Sequence, residues 1–247
     1  MVHIEPPQSG NPRNARMHEI GSVERMSGHI DLPRACYLDL QLVDYQERTI
    51  LVGASTTRGE LRGWCVRHPL PGGTDLSSCE LHWLLHAQPI PPYNVITKPA
   101  LNCLSLLSYC NSDSNIRLHL AVGVDDGSVR IASVASLRVP SESESSEPRW
   151  IASAVHHFAA VVRICAKSDR LFFTLSADQR VVCWSFNAEP AMLTPLHRVM
   201  LSGSGDPHGM DIAFDSSDHS KNDLPNTRTT YILTTGIGTI LLRWSCK

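Results

Sequence analysis

The sequence predicts an all-β protein made of repeated antiparallel sheets, a β-propeller. Short runs rich in β-branched and aromatic residues recur from residue 36 onward, each bounded by Gly, Pro, Asp or Ser. No long segment keeps the period of an amphipathic helix, and 77–87 is the one segment that also fits a helix. A short motif returns four times with a constant internal offset, which indicates a repeat architecture.

The predicted strands fall into four groups, and each group is a candidate blade. The blades are expected at about 36–86, 101–154, 156–201 and 208–247. Within these blades, the expected strands are 36–43, 49–54, 60–66, 81–86, 101–107, 117–124, 128–134, 149–154, 160–166, 170–175, 180–186, 196–201, 209–214, 230–235 and 239–245.

The third strand of each group carries the motif that defines the repeat. A tight turn and two spacer residues precede an apolar residue, and in most copies a tryptophan follows three positions later. Side chains alternate between the two faces of a strand, so a constant offset places the apolar residue in the same layer of every blade. The copies are RGELRGW (58–64), DGSVRIA (126–132), DQRVVCW (178–184) and GTILLRW (238–244), and their apolar residues are Leu61, Val129, Val181 and Leu241.

The chain is expected to divide into a leader and one repeat domain. Residues 1–30 are rich in Pro, Gly, Asn, Ser and Arg, and they are predicted to be disordered. The blades then occupy 31–247. Their spacing exceeds the roughly 40–45 residues of a common propeller blade. The excess lies in polar insertions at 69–78, 88–99, 140–148 and 215–228.

The last predicted blade has only three strands, and about four blades are few for a closed ring. The best additional strand near the amino terminus is HEIGSVERM (18–26). We therefore expect an incomplete or open ring with an unpaired edge strand at 239–245.

Composition excludes several classes of function. A net charge of −2 and a pI of about 6.6 argue against autonomous nucleic-acid binding, which needs a basic face. The eight cysteines show no paired spacing and no apolar leader follows Met1, so the thiols are expected to be reduced and buried in a cytosolic or nuclear protein, of which a cytoplasmic one is favoured. No apolar run reaches the length of a membrane span.

The spacing of the repeat resembles that of the WD-repeat family. The third blade carries most of that family's polar ladder, with His157 (or His156) before the first strand, Ser176, Asp178 and Trp184. A buried carboxylate needs donors, and an imidazole, a hydroxyl and an indole N–H supply them between strands. The other blades depart from the pattern, since Ala132 stands in place of tryptophan and Gly238 in place of aspartate.

A more specific resemblance covers 150–247. The segments HHFAAVVRICAKSDRLFFTLSADQRVVCWSF (156–186), HGMDIAF (208–214) and YILTTGIGTILLRW (231–244) resemble the carboxyl-terminal end of the WD-repeat-containing protein 6 family. That family assists an FtsJ-type methyltransferase in 2′-O-methylation of the tRNA wobble nucleotide. The resemblance implies a non-catalytic adaptor without a cofactor, whose contact with tRNA would be indirect. The alternative is a general WD-repeat scaffold, such as a ubiquitin-ligase substrate receptor or a trafficking subunit.

Five other patterns suggest chemistry or a binding role, and each has a plainer interpretation. Cys79, His82 and His86 have the spacing of a metal edge, but no fourth ligand follows, so an outer strand is favoured. The set His156, His157, Ser176 and Asp178 contains the residue types of a catalytic triad, for which the ladder is the simpler explanation.

The remaining three patterns concern phosphate binding, phosphorylation and RNA. Gly203, Gly205 and Gly209 lack the Lys-Ser/Thr of a phosphate loop, and we expect a loop between blades. The serines and glutamates of 141–147 predict a solvated acidic loop or a phosphorylation site. The dispersed arginines that could contact RNA are Arg34, Arg58, Arg62, Arg67, Arg163 and Arg198. No catalytic, cofactor-binding or metal-binding residue is predicted.

Overall fold

The computed structural model describes ten stretches of the chain and shows an all-β architecture in them, as the sequence predicts. The described residues are 2–5, 16–19, 36–46, 49–67, 78–87, 99–112, 115–135, 148–202, 205–214 and 229–245. No helix long and apolar enough to cross a membrane occurs within these stretches.

Within these stretches, sixteen strands form five antiparallel sheets. Three sheets have four strands in simple meander order, β3 to β6, β7 to β10 and β11 to β14, and β15 pairs with β16. The strands are β1 (Val2–Glu5), β2 (Arg16–Glu19), β3 (Tyr37–Gln46), β4 (Thr49–Thr56), β5 (Glu60–Arg67), β6 (Ser78–His86), β7 (Leu101–Ser112), β8 (Asn115–Val124), β9 (Ser128–Ala135), β10 (Arg149–Val155), β11 (Val161–Ala166), β12 (Leu171–Ser176), β13 (Arg180–Ala188), β14 (Ala191–Met200), β15 (Gly205–Phe214) and β16 (Thr230–Trp244).

Most predicted strands occur within a few residues of their expected limits. The ambiguous segment 77–87 is the outer strand β6 of the first sheet, which contains Cys79 and His82 and ends at His86. The leader holds two strands that the sequence did not predict, since β1 pairs with β2 along four residues. The first two residues of the strand expected at 18–26 lie in β2, which begins at Arg16, and residues 20–26 lie outside the described residues.

The fourth blade folds back on itself within β16. The hydroxyl of Thr234 donates to the carbonyl oxygen of Ile240 over 3.4 Å, although a straight strand would separate these residues by roughly 20 Å. Gly238 has a φ of 103°, which a glycine adopts without strain. The arms 230–235 and 239–244 therefore lie side by side, as the two predicted strands require.

A separate apolar core fills the space between each pair of consecutive blades. The first contains Leu61 and residues of β7, β8 and β9, and the second joins Ala121, Val129 and Ile131 to β11, β12 and β13. The third joins Phe173, Leu175, Val181 and Cys183 to Met210 and Ile232 of the last blade. The inner strands β3, β7, β11 and β15 contact one another in that order, which is the radial stacking of a propeller.

The repeated apolar position is buried in three blades and exposed in the fourth. Leu61, Val129 and Val181 lie in the three cores, whereas Leu241 is 64% exposed. Leu241 still points to the face that the constant offset predicts, because Ile240 and Leu242 on either side of it pack against the third blade. Only the burial of its side chain is missing. The cause is that the next blade covers this position, and no further blade follows the fourth among the described residues. The ring is open, with no extended contact between β3 and the last blade in the part described.

Candidate functional site

The third blade contains a chain of hydrogen bonds directly beneath its loops. Nδ1 of His157 lies 3.3 Å from the carboxylate of Asp178, and its Nε2 lies 2.8 Å from the hydroxyl oxygen of Thr174. The indole N–H of Trp184 donates to the same hydroxyl oxygen over 2.8 Å. Thr174 thus joins His157 to Trp184, although the predicted ladder did not include it.

The donors and acceptors in this chain can all be assigned for a neutral imidazole. The carboxylate of Asp178 accepts the Nδ1–H of His157, so Nε2 carries a lone pair that accepts the hydroxyl proton of Thr174. The Thr174 oxygen then accepts from Trp184. Asp178 also accepts from the backbone N–H groups of Phe158 and Arg180, each over 3.0 Å. The network fixes the loop before β11 and the turn after β12 to each other.

Ser176 stabilises the turn, and backbone groups, not His157, are its hydrogen-bond partners. Its hydroxyl donates to the carbonyl oxygen of Ala159 over 2.9 Å and accepts from the backbone N–H of Asp178 over 3.1 Å. The side chain is fully buried. A serine nucleophile needs an accessible oxygen bonded to its base, so this geometry does not fit a triad. His156 instead meets the Trp184 ring edge to face at 5.8 Å.

Burial lowers the pKa of His157 below its usual value, although Asp178 opposes this shift. In the unfolded chain the imidazole takes up a proton as the pH falls below about 6.5, while the folded protein resists it. The unfolded state then binds more protons, so the contribution of His157 to the free energy of unfolding is full above this pH and decreases below it.

His157→Gln is expected to lose less of its free energy of unfolding between pH 7 and 5 than the unaltered chain, because glutamine takes up no proton in this range. Urea titrations of both proteins at each pH measure it, and identical pH slopes would contradict it.

An exposed aromatic ring stands above this network. Phe158 is 81% exposed, and the guanidinium of Arg180 lies 4.6 Å from the centre of its ring. Asp178 positions both residues, because it accepts from the backbone N–H of each. On the neighbouring blade, Gly127 approaches the loop so closely that a Cβ there would lie 2.5 Å from the carbonyl oxygen of His157. The hydrogen bonds to Asp178 and the close approach of Gly127 therefore hold the loop that carries Phe158. We call Phe158 and Arg180 the aromatic surface.

The first two blades each contain a buried arginine that pairs with a carboxylate, whereas the third blade contains the His157–Thr174–Trp184 hydrogen bonds. Arg62 and Arg130 occupy the motif position that Val182 has in the third blade. Arg62 is fully buried, and its guanidinium donates to Glu60 over 2.6 Å and to the Tyr37 hydroxyl over 2.9 Å. Arg130 is nearly as buried and pairs with Asp126 over 3.0 Å. Comparison of the motif copies position by position would have revealed this substitution.

The exposure and the location of each candidate arginine decide whether it could contact RNA. Arg62 is wrong as a candidate, because its charged group is enclosed and paired with Glu60. Arg58, Arg163 and Arg198 are exposed, but Arg58 belongs to the first blade, whereas Arg163 and Arg198 lie on the inner and outer strands of the third blade. Arg67 lies in β5, nothing is described of its side chain, and Arg34 lies outside the described residues. The serine-rich loop 141–147 and Gly203 are outside them as well, whereas Gly205 and Gly209 belong to β15.

A cavity of about 470 Å³ lies on the axis of the arc, and inner strands of all four blades line it. Asp39 accepts from the backbone N–H of Leu104 over 3.0 Å and lies 3.8 Å from Arg163. Burial raises the pKa of the lining thiol of Cys165 to about 11, and Asp211 adds to the shift. The thiol is therefore protonated at neutral pH and is a weak nucleophile.

Comparison with known proteins identifies the fold through structure. No family model matches the sequence, and no curated protein matches it. Sqt1 from Saccharomyces cerevisiae is similar in structure, with a TM-score of 0.53 and 12% identity, over 86% of this chain and 45% of that chain. Sqt1 from Chaetomium thermophilum, bound to the N-terminus of the ribosomal protein L10, gives a TM-score of 0.49 and 11% identity over 85% and 50%.

The chain spans about half the length of these two structures. At 12% identity the likeness to the Saccharomyces cerevisiae protein shows the fold alone. Sqt1 is a WD40 β-propeller protein, and the radial sheets and tight turns of this chain agree with that fold. The chain therefore has a WD40-type β-propeller fold, and its described residues form four blades in an open arc.

Proposed function

We propose that this chain is a non-catalytic adaptor that binds a protein partner through the aromatic surface. The observation that carries the proposal is the presentation of Phe158, which is exposed while its backbone is held by Asp178. Large aromatic and arginine side chains supply most of the energy in protein interfaces, and a rigid loop loses little entropy on binding. Phe158 with Arg180 has both properties.

The partner that we propose is an FtsJ-type methyltransferase that modifies the tRNA wobble ribose. The support for this choice is the resemblance of 150–247 to the WD-repeat-containing protein 6 family, a range that includes the aromatic surface. The methyltransferase would supply the chemistry and bind the tRNA, and this chain would assist it as a cytoplasmic adaptor. This chain's net charge of −2 is consistent with indirect contact with tRNA.

Affinity purification of the tagged chain, followed by mass spectrometry, tests the partner. We expect an FtsJ-type methyltransferase with the unaltered chain and several-fold less of it with Phe158→Ala, as for loss of an interface anchor. Val155→Ala is the matched control, because Val155 is also an exposed apolar residue close in sequence. Recovery of a cullin adaptor or a coat subunit instead would support the general scaffold.

Mapping of ribose methylation in cells that lack the protein tests the process. We expect position 34 of the affected tRNA to lose its 2′-O-methyl group while the abundance of that tRNA is unchanged. Re-expression of the unaltered chain should restore the modification, and Phe158→Ala should restore less of it. Unchanged methylation at position 34 in the deleted cells would contradict the adaptor role.

A further inference from the structure

In the part of the chain that the structure describes, the third strand of the last blade has one unpaired edge. In the first three sheets, β5, β9 and β13 each pair with a strand on both sides, and the outer partners are β6, β10 and β14. In the fourth blade, 239–244 lies against 230–235 on one side, and no strand pairs with its other side among the described residues. Such an edge presents unpaired backbone donors and acceptors in a row.

Exposed apolar side chains of β14, the outer strand of the third blade, border the same edge. Val199 of β14 pairs with Val181 of β13, so both side chains point toward the fourth blade. Val181 is buried there, yet Val199 is 45% exposed. Met192 lies on the same face of β14, since it pairs with Asn187, and it is also exposed. These apolar side chains border the position that a fourth strand of the last blade would fill.

From these two features we propose that an extended strand of a partner protein completes the last blade by pairing with 239–244. The backbone edge selects a β-strand over a helix, because only an extended chain can match its row of donors and acceptors. The outer strands of the other blades indicate the size of the segment. They contain 9, 7 and 10 residues and run antiparallel to their neighbours.

A strand bound beside 239–244 would have two different faces, so its apolar and polar side chains should alternate. Side chains that point toward the third blade would meet Val199 and Met192, so they should be apolar. Side chains that point the other way would meet Leu241 and Arg243, both exposed. Arg243 forms no salt bridge with another described residue, which favours an acidic residue opposite it. The ligand class is thus an extended segment in which apolar and acidic residues alternate.

The probe for this site is a fluorescent nine-residue peptide in which valine alternates with glutamate, added to the full chain. We expect a saturable rise in anisotropy. Val199→Asp should weaken binding about tenfold, as for loss of one interface contact. Met200→Asp is the matched control, because Met200 is 56% exposed on the opposite face of β14 and should leave binding unchanged. Phe158→Ala should also leave it unchanged, which separates this site from the aromatic surface.

Two N-methylated forms of the peptide distinguish strand pairing from apolar adhesion. Alternate amides of a paired strand point toward and away from its neighbour, so methylation of one alternate set should abolish binding and methylation of the other should not. Equal binding of both forms, or no saturable binding of the unmethylated peptide, would overturn the proposal. Sedimentation that shows a second copy of this chain on the edge would also overturn it, because the occupant would not be a partner protein.

Discussion

Trp184→Ala is expected to lower the free energy of unfolding by roughly 3–5 kcal/mol, as for truncation of a buried large aromatic residue. Trp184 is fully buried in the core between the second and third blades, and its ring stacks on Phe172 with centroids 6.2 Å apart. Its loss would leave a cavity and remove the donor to Thr174. Denaturant titration followed by far-ultraviolet circular dichroism measures the change.

Leu241→Ala is the matched control for this substitution. Leu241 belongs to the same repeated motif but is exposed on the last blade, so its truncation should change stability by less than about 0.5 kcal/mol. A loss below about 1 kcal/mol for Trp184→Ala would mean that the tryptophan is not enclosed, and the alignment of the blades would be wrong.

Glu60→Ala is expected to cost about 3 kcal/mol, because it leaves the guanidinium of Arg62 buried without its carboxylate. Arg62 is fully buried and donates two hydrogen bonds to Glu60, through Nε over 3.0 Å and Nη2 over 2.6 Å. The Tyr37 hydroxyl remains as an acceptor but carries no charge to balance the arginine. Urea titration at pH 7 measures the loss.

The double substitution of Glu60 and Arg62 by leucine separates the cost of an unpaired charge from the net value of the pair. Replacement of both members of a buried ion pair by apolar residues is often nearly neutral, so the double variant should be more stable than Glu60→Ala. A double variant that is less stable than Glu60→Ala would show that the pair itself stabilises the first blade. Equal stability of Glu60→Ala and the unaltered chain would show that Arg62 reaches water.

The fold was predictable because the repeat can be recognised without any contact being known. A constant offset between the turn and the apolar residue is a property of the strand, and three of the four copies bury that residue between blades. The fourth copy shows the limit of this reasoning. Burial of Leu241 depends on the next blade, and a motif within one blade does not state whether its neighbour is present.

The polar interior was predicted less well, because each blade satisfies its buried groups differently. His157, Asp178 and Trp184 were selected, but Thr174 was not, since a threonine in a strand carries no distinctive signal. In the first blade, Ala54 occupies the position of Thr174 and offers no hydroxyl. The indole N–H of Trp64 accordingly has no hydrogen-bond partner among the described residues. A tryptophan at the motif position therefore does not by itself imply a ladder.

Hydrogen exchange of the full chain, alone in solution and followed by mass spectrometry, tests most directly that this propeller is an open arc with a free edge. Amides of β9 and β13 are paired on both sides and should exchange slowly. Peptides that cover 239–244 should exchange much faster, because alternate amides on that strand point to an unoccupied edge. Equally slow exchange at 239–244, in a monodisperse monomer that unfolds cooperatively, would show that the last blade is already complete and would contradict the open arc.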